Sequence, residues 1–344
     1  MSFMTNYSSN WEVHLTEEEK KQLKHLINEL PLLDITKMDD KLLNELDIIK
    51  SKLPIRILKE LVTFKRFSNL FGTLKFSNLP TDPILPNTPV KGQLSEDKQT
   101  AISEYILFLF MLCLGEPLAY EDEKQGLLVQ NICPVKGQEK KQENTGSDIL
   151  EFHTEDGFHP YKPDFLALYC VKSDKEAKAK TITSSIRKVL FNLSNDVIEI
   201  LRKPLYKINA PSSFLENGDE DSYHTTIPVL SGPLLDPDIC IDFYLMEPQT
   251  PMAKWALEYL KKQLLENCIQ VALKPGELLV VDNKKAIHAR TGFTPKYDGN
   301  DRWLQRMFAV RNIKTSELSR HPGKLVCSPV NVLFEFSENA KEVL

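Results

Sequence analysis

Gly276-Glu277-Leu278-Leu279-Val280-Val281-Asp282-Asn283, followed by His288-Ala289-Arg290 and then by Asp301-Arg302-Trp303-Leu304-Gln305-Arg306, is the stretch that decides the fold of this chain. Lys274-Pro275-Gly276-Glu277 reads as a turn that launches a strand, Leu278 to Val281, and Asp282-Asn283 closes it. A second strand, Trp303 to Val310, follows. Side chains alternate across a strand, so Arg302, Leu304 and Arg306 share one face and Trp303 takes the other. Trp303 is therefore expected in the core, and the two arginines in one cavity. Buried arginines need anionic partners. A guanidinium offers a carboxylate a two-pronged fork, so Arg302 reads as a carboxylate receptor.

Upstream lies His153-Thr154-Glu155. In an extended segment His153 and Glu155 project from the same face, where an imidazole and a carboxylate can chelate a divalent metal. The tripeptide is a weak signal by itself. Joined with His288 it gives two histidines and one carboxylate, the facial triad of non-haem iron(II), with three coordination positions open. Blander readings stand beside these. The histidines could be satisfied structurally, Arg302 could sit in a cross-strand salt bridge, and Arg306 could pair with Asp298 or Asp301. The same three side chains could also hold zinc in a hydrolase, or belong to a jelly-roll binding protein. No HExxH-type motif accompanies them. His159, His224 and His321 are read as standing outside the ligand set.

The 344 residues are 42% hydrophobic and 26% charged, an ordinary globular composition. A net charge of -5 excludes a general nucleic-acid binder, which needs a basic surface to displace counterions. No apolar run approaches the roughly 20 residues that span a bilayer. The most apolar, Tyr105 to Leu114, reads as a buried helix. There is no signal-peptide core and no CxxC among the six cysteines, so inert thiols in a cytoplasmic protein are expected.

The first 115 residues read as a helical lead-in. Thr16-Glu17-Glu18-Glu19 is a capping box, and helices are expected over about Asp39–Lys52, Arg56–Phe67 and Ser95–Leu114. Pro80 to Pro89 is expected to be an ordered loop. From Leu127 short strands are expected over Leu127–Ile132, Phe165–Val171, Thr225–Leu230 and Ile239–Leu245, in addition to the two above. Helical inserts are expected over Ile182–Leu193, Asp196–Arg202 and Met252–Asn267, and Lys136 to Asp148 as an exposed loop. Many short strands after a helical lead-in indicate a sandwich or jelly roll decorated with helices. The acidic passage Leu215 to Tyr223 could form a lid. The amphipathic N-terminal helices could pack on the barrel or build a homo-oligomer interface.

The pattern His153-Thr154-Glu155, Gly276 to Asn283, His288-Ala289-Arg290, and Phe293 to Arg306 resembles the clavaminate-synthase-like iron(II)/2-oxoglutarate dioxygenases, over about Gln125 to Asn312. Within that group it is similar to the hydroxylases of free basic amino acids, the L-lysine 4-hydroxylase branch above all. The resemblance implies an α+β fold with a double-stranded β-helix (jelly-roll) core carrying N-terminal and inserted helices. It implies a single dioxygenase domain over 1–344, with a catalytic core at 125–312, a lid at about 208–224 and an extension at 313–344. It implies Fe(II), 2-oxoglutarate and O2 as the reacting partners, and succinate and carbon dioxide as co-products. His153, Glu155 and His288 match the iron ligands. Arg302 matches the arginine for the distal carboxylate of 2-oxoglutarate, and Thr181 its threonine partner, against the alternative of a helix N-cap. Arg306 matches the clamp for the substrate α-carboxylate, and Gln130 a glutamine near the α-amino group. Asp242 resembles one of two acids that hold a guanidinium, against an exposed strand acid. The other position is Cys240, which weakens L-arginine, since a planar fork benefits from two acids and a compact ammonium can manage with one; the resemblance implies L-lysine, hydroxylated at C4, with L-arginine or ornithine as the alternative. Lid acids Glu216, Asp219, Glu220 and Asp221 could supply the rest.

Overall fold

In the computed structural model the described residues are 7–31, 40–93, 95, 97–215 and 223–333. The capping box forms as its sequence dictates: the Glu19 amide donates to Thr16 Oγ1 at 3.2 Å, and the Thr16 amide to Glu19 Oε2 at 2.8 Å, opening the helix Glu17–Asn28. Helices Asp40–Ile49, Ile55–Phe67 and Ile102–Leu114 follow. The last begins later than Ser95 because Asp82 caps it from a distant loop. The Asp82 carboxylate accepts the amides of Ile102 (3.0 Å) and Ser103 (3.3 Å).

The main sheet runs, from edge to edge, Glu12–His14, Thr73–Ser77, Leu278–Asp282, Phe165–Lys172, Trp303–Val310, Glu116–Tyr120 and Val326–Cys327, and Val129–Ile132 also pairs with Trp303–Val310. It is mostly antiparallel, with parallel pairs at both edges. Alternation splits its strands between two cores. Phe165, Ala167, Tyr169, Leu278, Val280 and Trp303 pack with Leu23, Ile57, Leu61 and Ile106 of the N-terminal helices. Leu166, Leu168, Leu279, Val281, Leu304 and Phe308 face Phe152, Ile287 and Ala289 of a second sheet. Leu23, Leu26, Leu46 and Leu61 of the lead-in are thus buried within the chain.

The second sheet runs Ile269–Val271, Thr181–Ser185, Ala286–Arg290, Leu150–His153. Two expectations fail in this region. The helix expected over Ile182–Leu193 is a strand through Ser185, and only its second half is helical: Ile186–Val189, then a 3-10 turn at Leu190–Asn192. Tertiary pairing decides it, since Thr181–Ser185 fills the place between two other strands. The strand expected over Ile239–Leu245 breaks after Ile239. There Asp242 Oδ1 accepts the amides of Tyr244 (2.8 Å) and Leu245 (2.7 Å), an Asx turn that competes with a ladder. The strands Tyr206–Asn209 and His224–Ile227 form a hairpin; the acids Glu216, Asp219, Glu220 and Asp221 lie outside the described residues.

Candidate active site

His153 ends its strand and pairs directly with His288 across the antiparallel ladder. Their ring centroids are 4.2 Å apart. Glu155 lies beyond the end of the strand, so tertiary contacts rather than alternation fix it. Its amide donates to Asn283 Oδ1 at 2.9 Å, and Asn283 Nδ2 donates back to the Glu155 carbonyl at 3.0 Å and to that of Pro163 at 2.9 Å. Between His153 and Glu155, the Thr154 amide donates to Ile241 O at 2.7 Å, which ties the segment to the chain before Asp242. The result is a cluster in which ligand atoms of His153, Glu155 and His288 all lie within 4.8 Å of one another. Burial, then the neighbouring His153, holds His288 below its usual pKa, in the neutral form a metal requires. Burial pushes the Glu155 carboxyl up, but Arg306 and His288 outweigh it and hold it ionised. His153 Nδ1 meets the Glu151 carbonyl at 2.8 Å, which leaves its other nitrogen to face the cluster.

These side chains line a cavity of about 110 Å³, together with Thr181, Asp242, Arg290, Arg302 and Arg306. Arg302 is 7% exposed and makes no hydrogen bond or ion pair among the described residues. Burial lowers its pKa, and the opposing influences of Cys170, Cys133 and the Asp174 carboxylate do not offset the cost. Arg306 differs. Its Nη1 donates to Glu155 Oε1 at 2.6 Å, its Nε to Gln130 Oε1 at 3.1 Å, and its Nη2 meets Glu123. The expected alternatives, Asp298 and Asp301, are not its partners. Gln130 sits directly across the ladder from Arg306 and holds it, without itself lining the cavity. Trp303 points into the opposite core, fully buried, with Nε1 donating to Asn131 at 2.8 Å. Cys240 is buried and turned toward the Gly157 carbonyl rather than into the cavity.

Three polar wall residues escaped the sequence reading. Glu123 stands in a turn, and Asp156 at a positive φ of 47° directly after Glu155; each keeps one buried carboxylate oxygen without a partner. Burial pushes both carboxyls up, Asp156 further under the charges of Glu123 and Glu155, while Arg306 opposes the rise at Glu123. Asn144, with a buried Oδ1 also unpartnered, comes from Lys136–Asp148. That loop was expected to be exposed. Part of it instead forms cavity wall, because the Arg290 guanidinium grips the Asp148 carbonyl at 2.9 Å and backbone bonds fold the loop on itself. His159 is buried among Tyr120, Phe158 and Phe214, and His321 meets Glu121. His224 belongs to the hairpin, and none of these three histidines is in the cluster.

Two imidazoles and one carboxylate at chelating distance, with an unpaired guanidinium in the same cavity, define the class of non-haem iron oxygenases that use a keto-diacid. Their donors suit iron(II) with open positions for a bidentate co-substrate and dioxygen. The comparisons agree. The family described as "Taurine catabolism dioxygenase TauD, TfdA family" matches residues 84–308. An L-asparagine oxygenase of Streptomyces coelicolor is 38% identical over 78% of this chain and 79% of its own length. An L-lysine 3-hydroxylase of Catenulispora acidiphila is 32% identical, covering 78% and 76%. A crystal structure of asparagine oxygenase with Fe(II), (2S,3S)-3-hydroxyasparagine and succinate superposes with a TM-score of 0.85 at 31% identity, over 93% of this chain and 99% of that one.

The chain belongs to the TauD/TfdA family. It is an iron(II)- and 2-oxoglutarate-dependent dioxygenase of the amino-acid hydroxylase kind, which sets aside the zinc hydrolase and the passive binding protein. Among the described residues no helix is long and apolar enough to cross a membrane.

Proposed function

We propose that this enzyme hydroxylates a free amino acid with a cationic side chain, L-lysine at C4 first among them, and that its core is a double-stranded β-helix. His153, Glu155 and His288 hold the iron. Arg302, with Thr181, takes the distal carboxylate of 2-oxoglutarate. Arg306, steadied by Gln130 and Glu123, clamps the substrate α-carboxylate. Asp242 faces the side-chain end. When bound, iron and the keto acid together activate dioxygen, one atom going to the substrate and the other to succinate. The protein's own part is to hold the substrate at both ends, so that one carbon is nearest the metal.

The observation that carries the substrate reading is the acidic wall. Glu123, Asp156 and Asp242 all line the cavity, and the first two each present an oxygen with no partner. An ammonium group, with three donors, suits such a wall. A second reading, L-asparagine, is favoured by Asn144: its unpartnered Oδ1 in the same wall can accept from a side-chain amide. Mass spectrometry across the common amino acids, with iron(II) and 2-oxoglutarate supplied, separates the two. Gain of one oxygen on lysine supports the first reading, and gain on asparagine alone replaces it. Turnover that survives removal of iron by chelation refutes both.

A further inference from the structure

The cavity holds a third buried guanidinium, to which the assignments above give a loop to anchor but no ligand. Arg290 is 5% exposed, its Nη2 donates to the Asp148 carbonyl at 2.9 Å, and its Nε has no hydrogen-bond partner. No carboxylate pairs with it among the described residues. Like Arg302, it is a buried positive charge with no ion-pair partner; the Asp148 carboxylate opposes it only from beyond ion-pair distance and does not offset the cost of its burial, a costly arrangement unless a ligand supplies the anion. Its place in the ladder says where that anion sits. Along Ala286–Arg290, His288 and Arg290 occupy the same face, two residues or roughly 7 Å apart. The facing strand repeats the interval: Thr183 lies opposite His288, and Thr181 opposite Arg290. Thr181, Arg290 and Arg302 all line the cavity, one step along the sheet from the metal cluster. Arg302 is the foremost charged neighbour acting on Arg290.

We propose that Arg290 and Arg302 form a two-guanidinium receptor for the distal carboxylate of the keto-diacid, with Arg290 setting the preference for a dicarboxylic over a monocarboxylic 2-oxo acid. The inference rests on the 2-oxoglutarate dependence of the enzyme and adds a specificity residue to it. A lone arginine would satisfy one pair of carboxylate lone pairs; a second fork from the facing sheet satisfies the other, and the ligand's negative charge relieves the repulsion between the cations.

The test is an anaerobic titration of the Fe(II)-loaded protein, following the visible absorption of the iron–keto acid complex, so that binding is read without turnover. The two ligands are 2-oxoglutarate and 2-oxopentanoate, which has the same chain length and no distal carboxylate. In wild type 2-oxoglutarate binds more tightly. In Arg290→Gln its affinity falls about 10- to 100-fold, the equivalent of one charge-assisted hydrogen bond, while 2-oxopentanoate binding changes less than about twofold. Arg290→Lys, which keeps the charge and loses the fork, falls between, and it carries the test if the Gln variant does not fold. Equal weakening of both ligands would mean that Arg290 only anchors the Asp148 loop, and an unchanged preference would mean that Arg302 acts alone. Either result overturns the proposal and leaves the 2-oxoglutarate dependence intact. Absence of 2-oxoglutarate binding to wild type would instead refute that dependence itself.

Discussion

Asn283→Ala tests how Glu155, the carboxylate proposed to bind the iron, is held. The Asn283 side chain is 1% exposed and makes three hydrogen bonds of 2.9, 3.0 and 2.9 Å, two to the backbone of Glu155 and one to Pro163. Truncation removes all three and strands one amide and two carbonyls in a dry interior. At about 1 kcal/mol net for each bond the cost is about 3 kcal/mol of folding stability. Glu155 also loses the clamp on both sides of its Cα, so it can rotate away from the two imidazoles. Outer-shell losses of this kind weaken metal binding about 10- to 100-fold. Denaturant unfolding of the metal-free protein reads the first effect, and anaerobic iron titration against a competing chelator the second. Asn283→Asp keeps the acceptor for the Glu155 amide but turns a carboxylate oxygen toward two carbonyls, so it should do no better than alanine. Stability within about 0.5 kcal/mol of wild type, the range of a neutral surface change, together with unaltered iron affinity, would refute the reasoning.

The two arginines of one strand should part company. Arg306→Ala leaves Glu123 and Glu155 as buried charges without a cation and costs about 3–5 kcal/mol, whereas Arg302→Ala removes a charge that has no partner and leaves stability level or higher; calorimetric melting decides. In steady-state assays Arg302→Ala raises the KM for 2-oxoglutarate and Arg306→Ala that for the amino acid, and the reverse order would exchange their roles. Asp242→Asn keeps the acceptor oxygen for Tyr244 and Leu245, so the turn survives; amino-acid KM rises about tenfold while 2-oxoglutarate binding stays near normal, and equal loss of both would remove Asp242 from substrate recognition. Far from the site, Glu19 is held down at about 2 by its hydrogen bonds to Arg56 and, secondarily, to Thr16. A depressed carboxyl stabilises the fold above its unfolded pKa of about 4.3 and loses that contribution as pH falls toward 2. The stability gap between wild type and Glu19→Gln should therefore be full at pH 6 and closed near pH 2, and a gap that persists there would rule out the ion pair as its source.

Local pattern carried some elements farther than others. Trp303–Val310 was legible because eight residues alternate cleanly between two cores, Trp303 and Met307 on one side and Leu304 and Phe308 on the other. The capping box at Thr16 needed only four consecutive residues. Thr181–Ser185 was misread because five residues with one clear apolar position fit either period, and the vacancy between two strands settled the matter. Gln130 entered through resemblance alone, and its grip on Arg306 depends on the pairing of strands 176 residues apart. Glu123, Asn144 and Asp156 lie in turns, where no periodicity marks a residue as facing inward.

The chain's own order of residues determined which chemistry is available: the imidazoles, the carboxylate and the alternating arginines are fixed by type and spacing, and strand geometry dictates which residues share a face where a strand runs, as along Trp303–Val310. Only the tertiary structure decided that His153 meets His288, that Asn283 locks Glu155, and that Arg306 is neutralised while Arg290 and Arg302 are not. Those are relations between segments more than a hundred residues apart, set by which strands lie side by side, and ladder pairing is a property of the folded whole that no local pattern encodes.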